Sequence, residues 1–343
     1  MTAREIVRRR LNHEGTPVTP YNVYIEDGLN KKLAEYYKDE NWRAKKLRQF
    51  TCHHLVVDTQ LYAPLDEIRS VDVYGAIWRM DKRPWHLETP PLGEPTLDGY
   101  DFPGEDAFVA PILINKAAAI QAYNADEEHY RIIDLGWGIF EHSWKLRGFQ
   151  DTLMDVVAEE EFYIEMVAKI TDNYIAMLKA CEDVPADAYI FGDDWGDQRG
   201  IIIGPERWRK LIKPCWARIY AEVKRQGKKS IHHSCGSIVD IYDDLIEIGL
   251  DCHESVQPEA YGMAPEVLKT KWGKKMSFWG CLGSQGILTH GTPKEIAAEI
   301  KRLHNLFKDD GGFVLSPAKP LMDEMDVEKA VAVIETLGEI NEN

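Results

Sequence analysis

Cysteine is scarce in this chain: six residues in 343, with no two set close together in sequence. In a chain this long with no apolar signal core they fit reduced thiols better than a disulfide framework, so any special cysteine is read as a ligand or a nucleophile. Cations are also short, 41 Lys and Arg against 57 Asp and Glu, for a net charge of −16. A sequence-independent grip on nucleic-acid phosphates needs clustered cations and is excluded with them. No run reaches the roughly 18 to 20 apolar residues of a membrane span, and the start, Met1-Thr-Ala-Arg-Glu-Ile-Val-Arg-Arg-Arg, has no apolar signal core. A soluble, cytoplasmic protein is the expectation. No Gly-x-Gly-x-x-Gly follows the first strand-like run, which argues against dinucleotide binding, and no internal repeat or low-complexity tract interrupts the chain.

What is present is core material and a rhythm. Hydrophobic residues make up 44% of the chain, enough for one large core. Residues 1–16 read as an N-terminal helix broken by Gly15-Thr-Pro. Short apolar runs at 18–25, 53–59, 130–136, 188–192, 229–234, 251–256, 275–280 and 312–316 then alternate with helical patterns. Residues 70–105 depart from this rhythm, with a half-exposed hairpin pattern from Val71 and the breaker-rich Pro90-Pro-Leu-Gly-Glu-Pro, and read as an excursion over a site. Eight solid apolar strands alternating with helices predict a single (β/α)8 TIM barrel spanning 1–343.

The site of such a barrel lies at the carboxyl ends of its strands. The residues there are Trp137, Glu141 and His142 after the third strand; Asp193, Asp194, Trp195 and Gln198 after the fourth; His233 and Cys235 at the fifth. Glu254 and Gln257 follow at the sixth, Cys281, Ser284 and Gln285 at the seventh, and Lys319 after the eighth. His233 and Cys235, two apart on an extended chain, point to one side and suit a zinc ion, with Cys281 arriving from two strands further round. Asp193 or Asp194, beside Trp195, is read as a proton donor or base, or as a partner of the metal-binding histidine, although the acidic run could instead be a helix-capping loop, with Asp197 or Asp194 capping the following turn. Gln198, Gln257 and Gln285 would position a polar substrate, and Lys319 could pair with Asp193 or Asp194 across the mouth. His232, facing the other way, is read as packing.

Together His232-His-Ser-Cys-Gly236, Phe191-Gly-Asp-Asp-Trp-Gly196, Gly280-Cys-Leu-Gly-Ser-Gln285 and Gly311-Gly-Phe-Val-Leu-Ser-Pro317 resemble the uroporphyrinogen decarboxylase superfamily. The resemblance implies a (β/α)8 barrel and two branches of chemistry. The decarboxylase branch carries Arg-Gln-Ala-Gly-Arg near the first strand to hold porphyrinogen carboxylates; here the region reads Tyr21-Asn-Val-Tyr-Ile-Glu-Asp27, and the cationic clamp is missing. The other branch implies zinc held by a His-x-Cys pair and a later cysteine, with methyl transfer to a corrinoid. His233 and Cys235 match the pair, whereas Lys319 stands where the later cysteine would fall. Cys281 is the substitute, with Glu254 or the Asp193-Asp194 carboxylates as fallbacks.

The expected function is therefore a methyltransferase or demethylase passing a methyl group between a small methoxylated or methylated compound and a cobalamin on a partner corrinoid protein. Zinc would serve as Lewis acid. The alternative enzyme is a metal-free decarboxylase-type lyase using Asp193, Asp194 and Lys319, and the alternative outside catalysis is a small-molecule binding barrel.

Overall fold

The computed structural model describes residues 1–341. Its centre is a parallel sheet of seven strands in the order β1 (Thr51–Val56), β6 (Tyr130–Asp134), β7 (Ala188–Gly192), β8 (Lys229–His233), β9 (Cys252–Val256), β10 (Ser277–Leu282) and β11 (Phe313–Pro317). Every residue of β10 and β11 is buried. Such strands need cover on both faces, which helices outside and side chains within the curl supply.

An eighth segment, residues 21–25, lies beside β11 through parallel bridges Tyr21–Leu315 and Ile25–Leu321. Backbone bonds Asn22 N–H to Leu315 O (2.9 Å) and Leu321 N–H to Tyr24 O (2.8 Å) hold it there. On its other side no backbone hydrogen bond joins it to β1 among the described residues. The (β/α)8 architecture stands, with eight stations in the predicted places, but its ladder is open at this seam. Residues before β1 hold the segment from that side: the Arg48 N–H donates to Tyr21 Oη at 2.8 Å and the Arg43 guanidinium to the Val23 carbonyl at 2.8 Å.

The N-terminal helix is shorter than the expected 1–16. It runs Ala3–Leu11, capped by Thr2, and ends where His13 turns to φ 59°. The excursion is a four-stranded antiparallel sheet, β2 (Ala63–Pro64), β3 (Arg69–Val71), β4 (Ile77–Arg79) and β5 (His86–Thr89), beginning before residue 70 and finishing before 105. Its hub is Asp72, whose buried carboxylate accepts from the backbone N–H of Tyr74 and Ala76 and from Trp78 Nε1, each at 3.0 Å. After β6, where the pattern from Phe140 to Cys181 predicts two helices joined near Glu159, the chain makes three, Ile139–Arg147, Phe149–Ala158 and Glu160–Ala180. The extra break falls at Gly148, whose φ of 85° favours glycine. Among the described residues no helix is long and apolar enough to cross a membrane.

Candidate metal centre

The mouth of the barrel holds a cavity of about 340 Å³ lined by Asn22, Tyr24, His53, Asp134, His233, Glu254, Trp279 and Lys319. Parallel register sets His233 at the end of β8 opposite Glu254 on β9. Their side chains meet, His233 Nδ1 to Glu254 Oε2 at 2.6 Å. With Nδ1 so engaged, the other ring nitrogen faces Cys235, whose Sγ lies 3.4 Å from Nε2.

The loop after β7 brings the third donor. Asp194 Oδ1 accepts the Cys235 N–H at 2.8 Å, while Ser237 N–H reaches the Asp197 carbonyl at 2.7 Å. The two loops interlock so closely at Gly236, φ 73°, that a Cβ there would lie 2.5 Å from Asp197 O. Asp194, His233 and Cys235 each thus present one donor atom within 4.8 Å of the others. Carboxylate, imidazole and thiolate form a borderline-soft set that suits zinc, and a histidine whose second nitrogen is held by a carboxylate is the usual outer arrangement of such sites. Burial alone would lower the His233 pKa, but Glu254 and Cys235 reverse this and raise it well above the ordinary histidine range.

Cys281 does not join them. It is fully buried, and the charges nearest its thiol are Arg302, Glu266 and Glu299 on the helices outside the sheet. The register of β10 against β9 shifts between Trp279 and Gly280, and Gly280 and Cys281 both take positive φ. A bulge of this kind re-aims the residues after it. The third donor is Asp194, one of the fallbacks.

Asp193 also departs from its expected role. Its carboxylate accepts from the backbone N–H of Phe140 (3.1 Å) and Glu141 (2.9 Å) and from the indoles of Trp195 (2.7 Å) and Trp216 (3.1 Å). Burial pushes its pKa up to about 6 against those four donors. It caps the helix Ile139–Arg147 from another element, and has no path to the cavity. The cap requires Gly138, because a Cβ there would lie 2.3 Å from Gly192 O and 2.4 Å from Asp193 Cβ.

The remaining expected residues divide. Glu141 faces the mouth: a Cβ on Gly192 would be 4.0 Å from its Oε2. Burial, then Asp194 and Asp193, push its carboxyl up to about 8, so it holds a proton at neutral pH. Trp137 lies under the Lys145 ammonium, 3.6 Å from ring centroid to Nζ. Trp195 is a wall of the box around His232, stacked on it at 4.2 Å, and His232 donates or accepts at Tyr220 Oη (2.7 Å). Gln257 is buried with Oε1 on the Gly236 N–H at 2.9 Å, so it braces the loop that carries Cys235. Gln198 is exposed. Gln285 is exposed and lines a neighbouring groove of about 360 Å³ that offers no cluster of metal donors among the described residues. Lys319 stands exposed between the groove and the mouth cavity, and the sealed Asp193 is beyond its reach.

Two further residues, one lining the mouth and one buried against Trp137, were not singled out beforehand. His53 lines the cavity with Nε2 buried and without a hydrogen-bond partner. Lys145 is buried with its ammonium likewise unpartnered, and burial lowers its pKa to about 7 despite Glu141 and Asp72 nearby. The only hint of Lys145 in the sequence is its place four residues after Glu141, on the same helical face.

Comparison with known proteins agrees with the fold. A methyltransferase from Methanosarcina mazei superposes with a TM-score of 0.69 over 99% of both chains, at 16% identity. Uroporphyrinogen decarboxylases of Bacillus cereus (strain B4264) and Bacillus anthracis are each 30% identical over 109 residues, 31% of this chain. The chain spans about 30% of the length of these relatives that it matches. Residues 143–340, which carry the ends of β7 to β11 and the three candidate donors Asp194, His233 and Cys235, match the uroporphyrinogen decarboxylase (URO-D) family, and the chain belongs to that family.

Proposed function

We propose that this enzyme is a zinc-dependent methyltransferase that moves a methyl group between a small methoxylated or methylated compound and a cobalamin carried by a partner corrinoid protein. The convergence of Asp194, His233 and Cys235, with Glu254 behind the histidine, carries the reading. The missing cationic clamp at 21–27 supports it, since the mouth offers Asn22 and Tyr24 where a polycarboxylate would need arginines.

Bound by those three residues, zinc would supply Lewis acidity toward a sulfur or oxygen of the methyl-bearing compound. The protein's own groups do the rest. Glu254 fixes the His233 ring so that Nε2 faces Cys235, and the Cys235 N–H fixes the Asp194 carboxylate. Glu141, protonated at neutral pH, is placed to give its proton to an oxygen that has lost its methyl group. Lys145 in its ammonium form, held against the face of Trp137, would favour an anionic product nearby.

The test is metal content with activity. Purified protein should hold zinc at this site, and Cys235→Ala should lose one equivalent of zinc per chain together with methyl transfer to cob(I)alamin, followed by the absorbance of methylcobalamin. Protein purified without stoichiometric zinc, or a fully metallated and active Cys235→Ala variant, overturns the reading. The protonated Glu141 also favours a second reading, a lyase that protonates the carbanion left by a small carboxylated substrate. That lyase would release CO2 from metal-free protein and would depend on Glu141, not on the sealed Asp193.

A further inference from the structure

A second group of metal donors lies on the outer side of β1, away from the mouth. Cys52 and His54 are two apart on β1, where the register against β6 shifts between Cys52 and Leu55, and the irregular backbone brings their donor atoms to one side. Asp126, the residue closing the helix Glu105–Ala125, swings its carboxylate toward that face. One donor atom from each of Cys52, His54 and Asp126 lies within 4.8 Å of the other two.

The arrangement is built, not incidental. Asp126 Oδ1 accepts the backbone N–H of Glu128 (3.1 Å) and His129 (2.9 Å), which fixes the carboxylate in a tight turn. His129 Nδ1 sits 2.9 Å from Oδ2, and His54 Nε2 sits 3.4 Å from the same oxygen. Of the cations nearby, Arg131 is occupied by carbonyls, donating to Asp126 O at 2.5 and 3.1 Å and to Pro185 O at 3.4 Å, and Arg4 is paired with Asp187 at 2.7 Å. The Cys52 sulfur is buried while His54 is exposed, so the group has a protected soft donor and an open approach for an ion.

We propose that Cys52, His54 and Asp126 form a second site for a zinc-type divalent cation, with His129 bracing the carboxylate. Thiolate, imidazole and carboxylate are the ligands that such an ion takes. A bound ion would tie β1 to the turn before β6, at the strand that the open seam leaves without a neighbour on one side. The site is independent of the proposed reaction.

Cobalt(II) distinguishes the two sites, because a thiolate ligand gives a sulfur-to-cobalt charge-transfer band in the near ultraviolet. Full-length Cys235→Ser protein, stripped with chelator and titrated with Co2+, should still develop that band, and Zn2+ should raise its Tm. His54→Ala in the same background, an exposed change that leaves the fold intact, should weaken Co2+ binding by about tenfold or more. Cys52→Ser in that background should abolish the band. A Cys235→Ser protein that binds no Co2+ through sulfur overturns the second site, as does a His54→Ala variant of unchanged affinity. Loss of the band from Cys52→Ser in the otherwise natural chain would count against the mouth site instead.

Discussion

At the scale of single residues, the mouth separates groups that bind from groups that hold the binders. Glu254 touches no proposed substrate, yet it sets the tautomer and direction of His233. Glu254→Gln should therefore lower zinc affinity by about 10- to 100-fold in a competition titration, with the fold intact. An unchanged affinity would mean that His233 is not the ligand. Glu141 makes a prediction in pH. Burial beside Asp194 and Asp193 raises its carboxyl from the ordinary 4.5 to about 8. A group that binds its proton more tightly in the folded state gives its full contribution below the lower of these values, and loses it as pH rises through the upper one. The wild type should thus lose stability relative to Glu141→Gln between pH 4.5 and about 8, the two ends of that shift, with no such trend below it. Denaturant unfolding of both proteins across that range is the measurement, and a constant difference would refute the shift.

At the scale of elements, the adjacent pair Asp193 and Asp194 shows how a loop assigns roles. One side chain turns inward to cap the helix Ile139–Arg147, and its neighbour turns toward Cys235. Replacing Asp193 by Asn puts an amide among four donors that want an acceptor, and should cost about 2–4 kcal/mol of stability. Metal content per folded molecule should stay whole, whereas a catalytic Asp193 would lose turnover without losing Tm. The same pair marks what was legible in the sequence. Polar residues at strand ends could be found from the apolar runs before them, which is why His233, Cys235, Glu141 and Glu254 were all named. Which way each one points depends on turns that periodicity does not encode. The bulge at Gly280 turned Cys281 outward, and the aromatic box claimed Trp195. Lys145 escaped notice because a lysine on a helix reads as solvated surface until Trp137 and Trp78 are known to cover it.

At the scale of the whole molecule, the eight stations followed from composition and rhythm, since solid apolar runs between helices leave few other arrangements. The opening between residues 21–25 and β1 did not, because hydrogen bonding between strands leaves no mark on either strand's own pattern. Amide exchange should reveal it: Val23 is expected to exchange faster than Ile190, whose strand β7 is paired on both sides. Equal protection would close the seam. The cavity at the mouth and a larger one of about 680 Å³ along the opening share Asn22, Tyr24 and His53. A ring of strands can widen only by tearing part of its ladder, whereas this one is a clasp with a free end. Its rim can spread at that joint with every backbone rung intact, so a change in the width of the mouth need not draw on the stability of the sheet.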